Sequence, residues 1–170
     1  SYPFCAQTDN SRTCRESEMI PRDEERPIHY QFAKYTRRHP FRKIIHESNG
    51  KTISAFSMLV KSVILSRHVR RLCKDETYIG VMLPNVLAAP VTILAVLMAD
   101  KIPAILNFSM SPDGIRKCMD KAGAKYILTS RLFLKKTSIP EMENMIFLED
   151  LAGSISFKQK ILWTLAAALL

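Results

Sequence analysis

Glycine is scarce. Gly50, Gly80, Gly114, Gly123 and Gly153 are the only five in 170 residues. They lie too far apart for a phosphate-cradling loop or a dinucleotide fingerprint, which need several within one turn. Cysteine is as thin: Cys5, Cys14, Cys73 and Cys118 form no CxxC pair and no zinc spacing, and read as free thiols in a reducing compartment. His29, His39, His46 and His68 never fall at metal-ligand spacing, so each reads as a surface residue. There is no GxSxG elbow and no HEXXH pair. Cys118 with His68 would make a nucleophile and base, but ordinary structural roles for both outweigh it. Glu149-Asp150 reads as a solvated helix start rather than a metal pair. From its residues alone the chain is not a self-sufficient catalyst.

Acid is also short. Sixteen Asp and Glu face 25 Lys and Arg, for a net charge of +9, which favours anionic lipid, an acidic carrier protein or nucleic acid as partner. Nucleic acid is the weakest of the three, because no aromatics interleave with the basic run at 67–74 in a stacking pattern. Residues 80–99 carry no charge and are about long enough to span a bilayer. Pro84, Asn85 and Pro90 interrupt them, and a strand, turn and helix fit the same residues better. Residues 161–170 are apolar but too short to span.

What is present is organised around residues 76–130. An apolar run at 78–83 closes on Pro84-Asn85 and reads as a buried strand ending in a turn. Asn85 is placed to cap a buried helix over 86–99, where Pro90 should bend the second turn. A second strand is expected at 102–106. Ser111-Pro112-Asp113 is a helix start with a capping hydroxyl, a first-turn proline and an acid at the positive end of the dipole. Gly123 supplies the left-handed stop before a third strand at 126–128. Strands and helices alternating at this spacing imply right-handed crossovers and a parallel sheet, an α/β fold.

Elsewhere, residues 1–27 read as a polar leader or linker without the uncharged core of a signal peptide. A short helix follows at 28–35, with Phe32, Ala33 and Tyr35 partly buried, and then a basic stretch at 37–43. Residues 43–46 and 51–53 form a hairpin around Ser48-Asn49-Gly50. Ser54 caps a long helix whose apolar face holds Phe56, Leu59, Val60, Val63, Ile64 and Leu72. Arg67, His68, Arg70, Arg71 and Lys74 suit the negative end of its dipole, or form a docking surface for an anionic partner. A short helix at 130–136 turns Leu132 and Phe133 inward, 144–148 is another apolar run, and 156–170 reads as a helix without a terminal cap, as in a chain that continues.

The stretch GVMLPNVLAAPVTILAVLMADKIPAILNFSMSPDGIRKCMDKAGAKYILTS resembles the N-terminal part of the acyl-adenylate-forming (AMP-binding) enzymes, which include acyl-CoA synthetases, luciferases and peptide-synthetase adenylation domains. The likeness takes in the Pro-Asn turn, the alanine-rich helix, LMADKIPAILN in place of LKAGxAYVPLD, and AGAKYILTS; upstream, KTISAFSML stands where the family has its LTYxEL helix start. It covers 28–170, as the beginning of the adenylate-forming domain. The ending ILN-F is most similar to acyl-[acyl-carrier-protein] synthetases, also called 2-acylglycerophosphoethanolamine acyltransferases. Asp100 stands where the family usually has glycine, so the turn there is expected to be made differently. Ala55 replaces the usual tyrosine and Ser57 the usual glutamate. The nucleotide loop, the YGxTE segment, the hinge and the catalytic lysine have no counterpart and are expected beyond Leu170.

The resemblance implies a piece of an enzyme that activates a fatty acid with ATP and magnesium to an acyl-adenylate and transfers it to the thiol of acyl carrier protein or CoA, serving phospholipid acylation. It implies a cytoplasmic location, peripheral to or tethered at the inner membrane. No residue is assigned as catalytic, cofactor-binding or metal-binding. Ligands of open α/β sheets lie beyond the carboxyl ends of strands, which makes Asn85 and Asn107 the residues expected nearest the acyl or thiol substrate, beside their commoner roles in turns and caps. Two other classes stay open: a non-catalytic module on an anionic membrane surface, and a remnant of such an enzyme that only binds a protein.

Overall fold

The computed structural model describes residues 26–137 and 139–153. Local chemistry sets most of the element boundaries. Helix α1 (Ile28–Arg38) leads into an antiparallel hairpin of β1 (Lys43–His46) and β2 (Thr52–Ser54). Gly50 takes φ 82° at its turn, and the Asn49 side chain accepts a hydrogen bond from the Lys51 amide at 2.9 Å, the usual asparagine role there. Ser54 caps α2 (Ala55–Leu72) by accepting from the Ser57 amide at 3.3 Å. Next come β3 (Tyr78–Val81), α3 (Ala88–Met98) and β4 (Ile102–Ile105). Helix α4 (Pro112–Ala122) is capped by Ser111 and closed by Gly123 at φ 66°. Strand β5 (Ile127–Thr129), α5 (Arg131–Leu134), β6 (Met145–Phe147) and α6 (Leu148–Gly153) complete the described chain.

The last four strands form one parallel sheet in the order β4-β3-β5-β6. Alternation sends Ile79, Val81 and Leu128 to one face, where α2, α3 and α6 cover them with Val69, Cys73, Val96 and Leu151. Met82, Ile127, Met145 and Phe147 point to the other face, against Ile115 and Met119 of α4 and Phe133 of α5. A third cluster joins Ile53 of the hairpin to Met58, Val91 and Leu94. The uncharged run 80–99 is therefore strand, loop and helix, and no described helix is long and apolar enough to cross a membrane.

Several expectations are corrected. Helix α3 starts at Ala88 with no side-chain cap, so Asn85 does not cap it. Pro90 is then the third helical residue. The amides of the first turn have no intrahelical partner, so its missing N–H costs nothing and it need not bend the helix. The buried line of α2 runs through Ala55, Met58, Leu59, Ser62, Val63, Ser66 and Val69, while Leu72 is 43% exposed. Two small serines let α2 and α3 approach closely, and Ser62 Oγ donates to the Val91 carbonyl at 3.0 Å. Leu132 is 67% exposed, leaving Phe133 as the inward residue of α5. At Asp100 the turn is not made differently: the aspartate itself adopts φ 59°. Asp visits this region more readily than most residues, and here its carboxylate takes a 2.9 Å bond from Arg70. Residues 1–25 of the leader, with Cys5 and Cys14, and the terminal helix expected at 156–170 lie outside the described residues.

Two substitutions test these constraints. A Cβ on Gly80 would meet Met119 Sδ at 2.8 Å, Leu106 Cδ1 at 3.1 Å and the Tyr126 carbonyl oxygen at 3.2 Å, so Gly80→Ala is expected to destabilise by about 1–3 kcal/mol in urea unfolding through overpacking. At position 100, Asp100→Gly should be more stable than Asp100→Ala by about 1 kcal/mol, the cost of a left-handed Cβ. Equal midpoints for the two would contradict the positive φ.

Candidate functional site

The sheet order fixes where a ligand crevice can open. From β3 the chain passes over one face through α3 to β4 at the edge, and from β5 it leaves the opposite way through α5 to β6. Connections that diverge from adjacent parallel strands leave a gap beyond their carboxyl ends, the switch point of an open α/β sheet. The loops there are 82–87 after β3, 107–110 after β4 and the single residue Ser130 after β5.

Asn85 lies exposed at the tip of the first loop, where the Val86 amide donates to the Pro84 carbonyl at 2.7 Å. The loop is pinned from the hairpin. The Leu87 amide, free at the start of α3, donates to Glu47 Oε1 at 2.5 Å, and Glu47 Oε2 accepts from Asn49 at 2.8 Å. The Leu87 amide first, then Asn49, hold the Glu47 carboxyl below its usual range. Asn107 is exposed at the end of β4, and its oxygen accepts from the Ser109 amide at 2.9 Å, a turn role. Phe108 packs edge-on against Phe133 with ring centroids 5.2 Å apart, tying the second loop to α5. The structure thus brings both asparagine-bearing loops to the same end of the sheet.

After β5, Ser130 Oγ donates to Glu149 Oε1 at 2.6 Å and accepts from the Phe133 amide at 3.4 Å. Burial pushes the Glu149 carboxyl up, but Ser130 and backbone amides outweigh it and hold it below its usual range. Asp150 pairs with Arg131, whose guanidinium sits 4.2 Å from the Phe147 ring centroid. Asp150 and one oxygen of Glu149 are thus engaged at the first turn of α6, while Glu149 Oε2 is buried without a hydrogen-bond partner, and no metal-holding group of three or more His, Cys, Asp or Glu occurs among the described residues. The polar groups of the crevice loops are Asn85, Asn107, Ser109 and Ser130, and Arg131 is already paired. They supply no charge to a triphosphate, so neither ATP nor magnesium is assigned to residues of this chain.

The other candidates separate. His68 is 8% exposed on α2, not a surface residue; burial first and Arg71 second push it down, towards the neutral form. Cys118 is on α4, across the sheet from His68, so the two cannot act together. Cys73 and Cys118 are free thiols, and burial of Cys73, followed by Glu76, pushes its thiol up to about 11, which leaves it unreactive near neutrality. Sequence reasoning missed Glu47 and the Ser130–Glu149 bond. Asn49-Gly50 marked the turn that carries Glu47, but nothing marked its partner 40 residues away.

A parallel sheet with helices on both faces and loops gathered at its switch point is an open, doubly wound α/β scaffold. The chain belongs to the AMP-binding enzyme family, whose sequence pattern matches residues 32–160. Solved structures of similar fold include the Klebsiella oxytoca NpsA N-terminal subdomain in complex with 3-hydroxybenzoyl-AMSN, at 14% identity and TM-score 0.65 over 76% of this chain and 32% of that one. The nonribosomal peptide synthetase FmoA3, in its α-methyl-L-serine-AMP-bound form, matches at 14% identity and TM-score 0.65 over 75% of this chain and 14% of that one. An artificially fused adenylation–PCP di-domain, NpsA-ThdA from Klebsiella oxytoca, matches at 15% and 0.63 over 75% and 24%. The chain spans about a third of the length of the first of these, 32%.

The Glu47 clamp has a pH signature. Its folded pKa is depressed below the ordinary 4.5, so its stabilisation is present above the unfolded pKa and is lost as pH falls through the folded one. Glu47→Gln is expected to lower the urea midpoint at pH 7, to flatten the acid limb of stability and to speed hydrogen exchange at Leu87. An unchanged Leu87 exchange rate would show that the clamp does not hold in solution.

Proposed function

We propose that the chain is the opening part of an ATP-dependent ligase that activates a fatty acid as its acyl-adenylate and transfers it to the thiol of acyl carrier protein or CoA. Membership of the AMP-binding family carries the adenylate-forming part of this reading. The fatty-acid part is supported by the Ile105-Leu106-Asn107-Phe108 ending, similar to that of acyl-[acyl-carrier-protein] synthetases. It is supported also by Val86, Phe108 and Met110, apolar and exposed in the loops at the switch point, a rim that suits an alkyl chain. In that chemistry the fatty-acid carboxylate oxygen bonds to the α-phosphorus of ATP as the bond to pyrophosphate breaks. A thiol sulfur then bonds to the acyl carbon as the bond to AMP breaks, and the thiol proton passes to a base or to solvent. Asn85 and Asn107 approach the acyl or thiol substrate in this reading, while the phosphate-binding and magnesium-binding groups come from elsewhere in the whole protein. The carrier-domain fusion of NpsA-ThdA is a precedent for a carrier thiol as acceptor, and service to phospholipid acylation would place the enzyme at the cytoplasmic face of the inner membrane.

ATP–pyrophosphate exchange with a panel of long-chain fatty acids tests the reading, comparing the 170-residue chain with the full-length gene product. Exchange by the longer protein only is the expected result. No exchange by either would overturn it and leave a non-catalytic binding module. In the active protein, Asn85→Ala and Asn107→Ala should each lower kcat/KM for the acid or the thiol by about three- to tenfold, the worth of one hydrogen bond. Unchanged kinetics would remove both from the substrate.

A further inference from the structure

Phe41 is the most exposed large apolar side chain among the described residues, at 87%, yet the main chain on either side of it is hydrogen-bonded. The Arg42 amide donates to the His39 carbonyl at 3.3 Å, closing a turn around Pro40-Phe41. Two amides of the first turn of α2, which have no partner within their helix, reach across to hold this turn: Phe56 donates to the Pro40 carbonyl and Ala55 to the Arg42 carbonyl, each at 3.0 Å. The phenyl ring is thereby held out in water by a fixed main chain.

Every charged residue within five positions of Phe41 in the sequence is basic. From Arg26 to His46 the sequence carries six Lys or Arg and no Asp or Glu. Arg38, Arg42 and Lys43 flank Phe41 and are exposed, with no ion pair among the described residues. The nearest acid in sequence, Glu47, is committed to Leu87 and Asn49. The other basic group differs. Arg70, Arg71 and Lys74 stand at the far end of α2, about 25 Å away at 1.5 Å per residue, and there Arg70 bonds to Asp100 and to the Met98 carbonyl.

We propose that the turn at 39–43 seats the protein on an anionic membrane surface, with the Phe41 ring entering the boundary between headgroups and acyl chains while Arg38, Arg42 and Lys43 stay among the lipid phosphates. A protruding aromatic ringed by cations suits a fluid, planar, negative surface, where apolar burial and electrostatic attraction add. An acidic protein would have to offer a pocket shaped for this one ring. The proposal concerns where the chain sits, not the ligase reaction, and vesicle binding without ATP separates the two.

The test is co-sedimentation of the 170-residue chain with vesicles of phosphatidylcholine alone and with about one third phosphatidylglycerol. Binding only to the anionic vesicles, weakening as salt rises, is expected. Phe41→Ser should reduce partitioning about tenfold with an unchanged urea midpoint, since the ring makes no core contact. Arg42→Gln and Lys43→Gln should each reduce it about fivefold. Wild-type binding by these variants would assign the affinity to the terminal segments and overturn the proposal. Equal binding to neutral vesicles would overturn it as well. So would Phe41-dependent capture of an acidic carrier protein without vesicle binding, or loss of vesicle binding in the full-length gene product, where the rest of the protein would then cover this face.

Discussion

The pairing of β3 with β5 is the contact on which the rest of the structure depends. The Gly80 amide donates to the Tyr126 carbonyl at 2.8 Å and the Met82 amide to Leu128 at 3.0 Å, while Thr129 Oγ1 donates to the Met82 carbonyl at 2.8 Å. These strands are not consecutive in the chain, so their adjacency forces the connections to part on either side of them, which defines a switch point beyond their carboxyl ends. Gly80 makes the approach possible by leaving the space that Met119 and Leu106 fill. Removing the β3–β5 register would leave two unrelated strand pairs and no site.

Around this centre, polar groups at the ends of helices link segments far apart in sequence. Glu47 ties the hairpin to the start of α3, and Ser130 and Arg131 tie the end of β5 to Glu149 and Asp150 on α6. The Arg70–Asp100 pair fastens the end of α2 to the turn after α3. Both side chains are largely exposed, so the pair itself contributes little in water, and the shape of the turn owes more to the left-handed backbone of Asp100.

Much of the fold was legible because its punctuation is local. Ser54, Ser111-Pro112 and Gly123 act on backbone groups within four residues, so a sequence window contains the whole interaction, and each marks the boundary it was expected to mark. What was misread depends on partners elsewhere. Asn85 had the chemistry of a cap, but Glu47 satisfies the start of α3 from 40 residues upstream. The buried line of α2 includes Ser62 and Ser66, which hydropathy alone assigns to solvent, because the close approach of α3 needs small side chains there. Leu132 and Phe133 looked equivalent on the short helix expected at 130–136, and only the position of the sheet decides which one is buried. For the candidate site, alternation of strands and helices was enough to put Asn85 and Asn107 at carboxyl ends of strands. Their nearness to each other follows from strand order, which periodicity does not encode.

The proposed function turns on ligand binding across the carboxyl ends of β3, β4 and β5. Hydrogen–deuterium exchange of the full-length gene product, with and without a hydrolysis-resistant fatty-acyl sulfamoyl adenosine, tests it most directly. Slowed exchange is expected in peptides covering 84–87 and 107–110. No change is expected at the opposite end of the sheet, where Gly123, Lys125 and Asn144 line an open cavity of about 770 Å³. Protection at that lower cavity, with none at 84–87 or 107–110, would contradict it.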